Sequence, residues 1–317
     1  MKFRTEIIIP KQENLIDYQS NIVLFGSCFT ENMESHFNYL KFNNTANSHG
    51  IIFNPVAIEK AVSDCVEEKK YDQNDLYHHN ELWLSLNHHT RFSSDKQEEV
   101  LTKINSEIQD ANRSLKKASH VLITLGTARV YRFKETSDLV ANCHKVPQKY
   151  FDHELLSIQE IIASLNRIIK KIESVNTNIT FLFTVSPVRH IKDGLAENSL
   201  SKAHLLSAIR QVVDARNYFY FPSYEIMMDD LRDYRFYASD MVHPNEIAME
   251  YIWDKFKGSW ISEESYQLMK EIDNIQRSLQ HRPFRKNSKQ YQDFLKNLEN
   301  KIESIESKYP QIRFNEN

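Results

Sequence analysis

Four short, continuously apolar runs constrain this 317-residue chain more than any other feature. They lie at residues 21–25 (NIVLF), 121–125 (VLITL), 180–185 (TFLFTV) and 218–221 (YFYF). Strands apolar at every position must be covered on both faces, and between them run stretches with helical periodicity. The spacing predicts helices over residues 30–40, 56–66, 95–117, 155–175, 199–216 and 247–256. Strands alternating with amphipathic helices define an α/β fold, a three-layer α/β/α sandwich with a mostly parallel central sheet. Residues 128–133 alternate and predict a short exposed strand, while 43–54, rich in Asn, Ser and His, predicts a loop.

Ligands of such sheets bind beyond the carboxyl ends of the strands. Those ends are Gly26-Ser27, Gly126-Thr127, Ser186-Pro187 and Phe221-Pro222. Ser27 stands where the first strand turns into a helix, a position that suits either a nucleophile backed by helix N-terminal amides or a plain N-cap. A nucleophilic serine needs a base and a group to orient it, and Asp240-Met241-Val242-His243-Pro244 offers both within one turn after the last strand. In that arrangement the Asp240 carboxylate takes Nδ1 of His243 and leaves Nε2 for Ser27. Cys28 is the rival nucleophile, or else packs beneath the helix.

Residues 1–258 read as the α/β domain, and 259–317 as a helical extension, two charged helices divided near Pro283 with Leu268, Ile272, Ile275 and Leu279 on one stripe. The extension reads as a stabilising αα-hairpin packed on the domain in preference to a dimerisation arm, and the sequence does not fix an oligomeric state. Forty basic against forty-three acidic residues give a net charge of -3, which argues against nucleic acid as a partner. No run has the length of a membrane span and the first ten residues do not form a signal segment, so no membrane partner is expected. Three cysteines without paired spacing, Cys28, Cys65 and Cys143, fit a reduced, cytoplasmic setting and neither a zinc cluster nor a disulfide framework. The histidine pairs 78–79 and 88–89 point to opposite faces of extended chain, so no metal and no cofactor is expected.

Gly26-Ser27-Cys28-Phe29 resembles the signature of the GSCFA family, with Thr30 in place of the final alanine. The resemblance runs through Gly50-Ile51-Ile52-Phe53-Asn54-Pro55, Thr124-Leu125-Gly126-Thr127-Ala128, Asn142-Cys143-His144-Lys145-Val146-Pro147 and Ser186-Pro187-Val188-Arg189-His190, and reaches Asp240-Met241-Val242-His243-Pro244, about residues 20–255. That family looks like a branch of the SGNH or GDSL hydrolases. The resemblance implies an SGNH-hydrolase-like fold, with Ser27 as nucleophile, His243 as general base and Asp240 as its orienter. The implied activity is an esterase or acyltransferase acting on a small-molecule or glycan ester, or a binding module that retains only the pocket. Two features depart from the GDSL pattern: no acidic residue precedes the serine, and no asparagine stands at Gly126-Thr127.

An oxyanion hole would therefore draw on the amides of Ser27 and Gly50 with a side chain from Asn54 or Thr127, near Gly126. Asn54 also suits the N-cap of the helix that Pro55 opens. His144, Arg189, His190 and Lys202 form a second set expected at the same edge, able to bind a carboxylate, phosphate or sugar hydroxyl. Arg189 is equally suited to a strut with Asp193 or Asp240. Asp233 and Arg235 are expected to form a buried ion pair that holds a loop.

Overall fold

A computed structural model describes residues 4–214, 216–284 and 287–314. The chain runs β1 (Ile22–Gly26), α1 (Cys28–Tyr39), β2 (Asn44–Ala46), α2 (Pro55–Val66), β3 (Tyr77–His79), β4 (Leu82–Leu84), α3 (Gln97–Leu115), β5 (His120–Leu125) and β6 (Arg129–Phe133). It continues through β7 (Leu139–Val140), β8 (Phe151–Leu155), α4 (Ile158–Glu173), β9 (Thr180–Val185), α5 (Leu195–Val212), β10 (Tyr218–Phe221), α6 (Ser223–Glu225), α7 (Glu246–Trp260), α8 (Tyr266–Leu279) and α9 (Lys289–Lys308).

The central sheet has the order β2-β1-β5-β9-β10, parallel throughout. Apart from the edge strand β2, its strands carry apolar side chains on both faces, and both faces are covered. Ile22 and Leu24 of β1, Leu122 of β5, Leu182 of β9 and Phe221 of β10 enter one core with α1, α7, α8 and α9. Val23 and Phe25, with Val121, Ile123, Leu125, Phe181, Phe183 and Val185, enter the other with α2, α4 and α5. Successive side chains of one strand thus feed opposite layers, which produces the three-layer α/β/α sandwich. The chain leaves β1 outward to β2 and then returns to β5 on the other side. This reversal opens a crevice at the carboxyl ends of β1 and β5.

Three elements depart from the sequence expectation. The 43–54 segment contains β2, an edge strand of three residues too polar to register as apolar, paired to β1 at Ile22, Val23 and Leu24. The lone strand expected at 128–133 is the centre of a three-stranded antiparallel sheet, β7-β6-β8, whose β8 ends at Leu155, the first residue of the stretch expected to be helical. After β10, α6 continues as a wide π-turn, Ile226–Leu231, with Ile226 and Met227 buried in the first core.

The Asp233–Arg235 pair is exposed, contrary to expectation: its closest approach is 3.8 Å, with the side chains 52% and 75% exposed. Asp233 instead caps a short turn by accepting from the Arg235 N–H. The extension forms α8 and α9, and Leu268, Ile272, Ile275, Leu298 and Ile305 pack into the core shared with α1 and α7.

Candidate active site

Ser27 follows Gly26, and the local chain explains why that position is glycine. Gly26 has φ +150°, and a Cβ there would lie 2.4 Å from the Thr124 carbonyl oxygen and 2.7 Å from Thr30 Oγ1. The close approach of β5 therefore excludes a side chain. The Gly26 N–H donates to Asn47 Oδ1 at 2.8 Å, which ties β1 to the end of β2. Ser27 is buried, and its Oγ accepts from the Phe29 N–H at 3.3 Å as the N-cap of α1. Helix α1 thus starts at Cys28, earlier than the periodicity predicts.

His243 and Asp240 form the dyad expected of them. Nδ1 of His243 and Oδ2 of Asp240 are 2.7 Å apart, and Asp240 Oδ1 accepts the backbone N–H of Val242 at 2.9 Å and of His243 at 3.0 Å. Those amide bonds, with the imidazole, hold the Asp240 carboxyl at about 2. His243 Nε2 has no hydrogen-bond partner among the described residues. No hydrogen bond joins it to Ser27, whose Oγ is turned to its cap; in unliganded sites such contacts are often long. The dyad loop is tied to the turn after β9 by the Arg189 N–H, which donates to the Val242 carbonyl at 3.4 Å.

That turn brings two further groups to the edge. The His190 ring lies tilted against Phe53 with centroids 4.9 Å apart, and a Cβ on Gly126 would sit 3.0 Å from its Nε2, so the imidazole lies against the end of β5. Burial lowers His190 to about 4, with Lys202 and His243 adding like-charge repulsion. Its Nε2 is buried without a partner. Lys202, from α5, is buried, and Nζ donates to the Ser186 carbonyl at 2.7 Å.

Several candidate donors are committed elsewhere. The Gly50 N–H donates to the Asn47 carbonyl at 2.6 Å, the Gly126 N–H to the Phe53 carbonyl at 2.7 Å, and Thr127 Oγ1 is 2.9 Å from Ser201 Oγ and accepts the Arg129 N–H at 3.1 Å. Asn54 Oδ1 caps α2 through the Ala57 N–H at 2.8 Å, while its Nδ2 has no partner among the described residues. Asn47, which sequence reasoning passed over as loop, is buried at φ +50° with Oδ1 on Gly26 and Nδ2 unpartnered. A non-glycine residue in left-handed backbone beside the serine turn is a signal only a structure supplies.

Arg189 makes neither expected strut. It lies over the Tyr237 ring at 5.0 Å and the Tyr234 ring at 6.0 Å. Asp193 instead approaches Arg129 and His153, and Asp240 serves His243. His144 leaves the set: its Nε2 bonds the Ser85 carbonyl at 2.8 Å within a separate buried cluster. Cys28 is a poor thiolate, because burial raises its pKa against the amides of Phe29 and Cys28 itself. No group of three or more His, Cys, Asp or Glu side chains able to hold a metal ion occurs among the described residues. A groove of about 710 Å³ between α1, α7 and α8, lined by His36, Trp253 and Tyr266, lies away from the strand ends.

The fold and its edge define a doubly wound α/β protein with a serine at the switch crevice and an aspartate–histidine dyad on a neighbouring loop. The GSCFA family model matches residues 21–256, and the chain belongs to the GSCFA family. A second model, the C-terminal domain of GSCFA domain proteins, matches residues 272–317, the region of α8 and α9. No curated protein matches the chain significantly. Among the described residues no helix is long and apolar enough to cross a membrane.

Proposed function

We propose that this protein is an SGNH-like serine acyl hydrolase that cleaves an ester of a small molecule or carbohydrate through an acyl-enzyme. The observation that carries the reading is the His243–Asp240 dyad, oriented through Nδ1 with Nε2 unengaged, on a loop tied to the strand edge where Ser27 opens α1. Ser27 Oγ attacks the acyl carbon and its proton passes to His243 Nε2. The carbonyl oxygen takes the negative charge. Collapse expels the alcohol, which leaves with the proton from His243. Water, activated by the same nitrogen, then releases the acid and restores Ser27. An acceptor hydroxyl in place of water makes the site an acyltransferase. Asp240 orients the imidazole and stabilises its cation. The three unpaired cysteines suit a reduced, cytoplasmic setting.

A fluorophosphonate tests the reading. The wild type is expected to be labelled at Ser27, and Ser27→Ala to abolish labelling. An unlabelled wild type, or equal labelling of the variant, would sink it. The commitment of the Gly50 and Gly126 amides favours a second reading, a binding module without turnover. That module would still bind ligand after Ser27→Ala and His243→Ala.

A further inference from the structure

We propose that Lys202 supplies the positive charge that holds the oxyanion formed at Ser27, an inference that rests on the serine-hydrolase reading above. Lys202 is 1% exposed. Its ammonium spends one of three N–H donors, on the Ser186 carbonyl, and no carboxylate pairs with it among the described residues. A buried cation without a counter-ion is costly, and a methionine of similar length would fill the space at lower cost. Such a charge is explained by an anion that arrives during function.

The surroundings point towards the start of α1 as the place where that anion forms. The Tyr224 ring lies 5.6 Å from the ammonium, and Cys28 of α1 and His190 are near enough to interact with it electrostatically. Cys28 adjoins Ser27 and begins α1, whose N-terminal amides favour negative charge. The amides and hydroxyl that would otherwise complete a hole at Gly50, Gly126 and Thr127 are taken. During attack the carbonyl π pair moves onto oxygen. The Lys202 ammonium donates to that oxygen, keeps its own proton throughout, and releases the oxygen when the carbonyl re-forms and the alcohol departs with the proton from His243.

Burial brings Lys202 down to about 7, with Cys28 opposing the shift. Free lysine titrates near about 10.4, so carrying this charge weakens the fold in full below about 7 and not at all above the free value. Removing the charge is therefore expected to leave the protein as stable as the wild type or more so at neutral pH, while slowing the reaction.

The test uses the full chain and the rate of fluorophosphonate labelling at Ser27. Lys202→Met is expected to label about 10²–10³-fold more slowly, the usual cost of a lost oxyanion donor, with an unchanged or higher melting temperature. Lys202→Arg should recover part of the rate. In the wild type the rate should fall as pH rises through about 7, where the ammonium loses its proton. That fall should vanish in Lys202→Met. A Met variant that labels at the wild-type rate, or a wild-type rate that does not fall, overturns the assignment. The second arm decides if the variant does not fold. A wild type never labelled at any pH removes the hydrolase reading and this role together. A labelled wild type with an unaffected Met variant removes only the role of Lys202.

Discussion

Two aspartate–histidine pairs differ in everything except residue type: the Asp240–His243 dyad, proposed to serve Ser27, and the interior pair Asp64–His49 with Ser48 beside it. In the first, Asp240 holds His243 at 2.7 Å, both side chains are about half exposed, and the far imidazole nitrogen is free. In the second, Asp64 approaches Nε2 of His49 at 3.3 Å while Nδ1 of that ring is 3.1 Å from Ser48 Oγ. That set looks more complete and lies wholly in the interior. His49 stacks on His88 at 4.2 Å, and Asp64 also accepts from Lys60 and from the Tyr71 hydroxyl at 2.7 Å. Both ring nitrogens of His49 are engaged, by Ser48 and by Asp64, and Ser48 Oγ also contacts Cys65 Sγ at 3.3 Å. A histidine–carboxylate pair is therefore a packing device when both ring nitrogens are engaged in the interior, and a candidate catalyst where the far nitrogen is unengaged.

Exchanging the roles of the two carboxylates breaks or sharpens that contrast. Asp240→Asn is expected to cut Ser27 labelling by about 10⁴-fold, the cost of losing an orienting carboxylate. Its melting temperature should hardly move, since the side chain lies on an exposed loop. Asp64→Ala should do the reverse. It strands His49, Lys60 and Tyr71, and breaking a buried pair costs about 3–5 kcal/mol of stability, read by chemical denaturation. Labelling of the remaining folded fraction should match the wild type. A strong labelling defect in Asp64→Ala, at equal folded fraction, would mean that the interior set also serves chemistry.

Acid should separate the two sets as well. Burial lowers the pKa of His49, of His88 and of His144, so all three stay neutral in the folded state. The unfolded chain takes up those protons first as pH drops below about 6.5. The contribution is fully present above that value and is lost progressively below it, towards the lowered folded values. Asp64 opposes burial with bonds from His49, Lys60 and Tyr71 and ends below the ordinary carboxylate range, so its contribution persists to lower pH and is lost as pH falls through its folded value. Denaturation midpoints from pH 8 down to pH 5 should decline in the wild type and decline less in His88→Phe, which replaces a ring with an unpartnered Nε2. Equal slopes would show that the interior histidines do not govern acid stability.

How much of this was legible follows from which interactions are local. Apart from β2, the parallel strands announced themselves because each must be apolar on two faces, and the Asp240–His243 dyad because a turn of four residues suffices to make it. Ser27 could be placed at a strand end from its neighbours alone. The edge strand Asn44–Ala46 could not, since its pairing to β1 decides its structure and its residues are polar. Nor could the state of Gly50 and Gly126, whose amides are used up by carbonyls of Asn47 and Phe53. Asn47 stands out only through its unpartnered amide, and Lys202, expected at this edge from the sequence, shows its unbalanced charge only through what surrounds it. His144 went the other way: its motif is within the family resemblance, yet its ring joins the interior cluster through Ser85.

The smallest expected effect concerns Asn54, which stands between the two behaviours, one end of its amide spent on structure and the other free. Asn54→Ala removes the Oδ1 cap of α2 and should cost about 1 kcal/mol of stability. Asn54→Ser keeps a capping oxygen for the Ala57 N–H and deletes only Nδ2. If Nδ2 reaches the developing oxyanion, the serine variant should keep its melting temperature and slow Ser27 labelling, by up to the roughly 10²-fold of a single donor. If Asn54 is a cap and nothing more, the serine variant should match the wild type in both measurements and the alanine variant should lose stability alone. The serine variant thus separates the two ends of one side chain, as the two carboxylate variants separate the two sets.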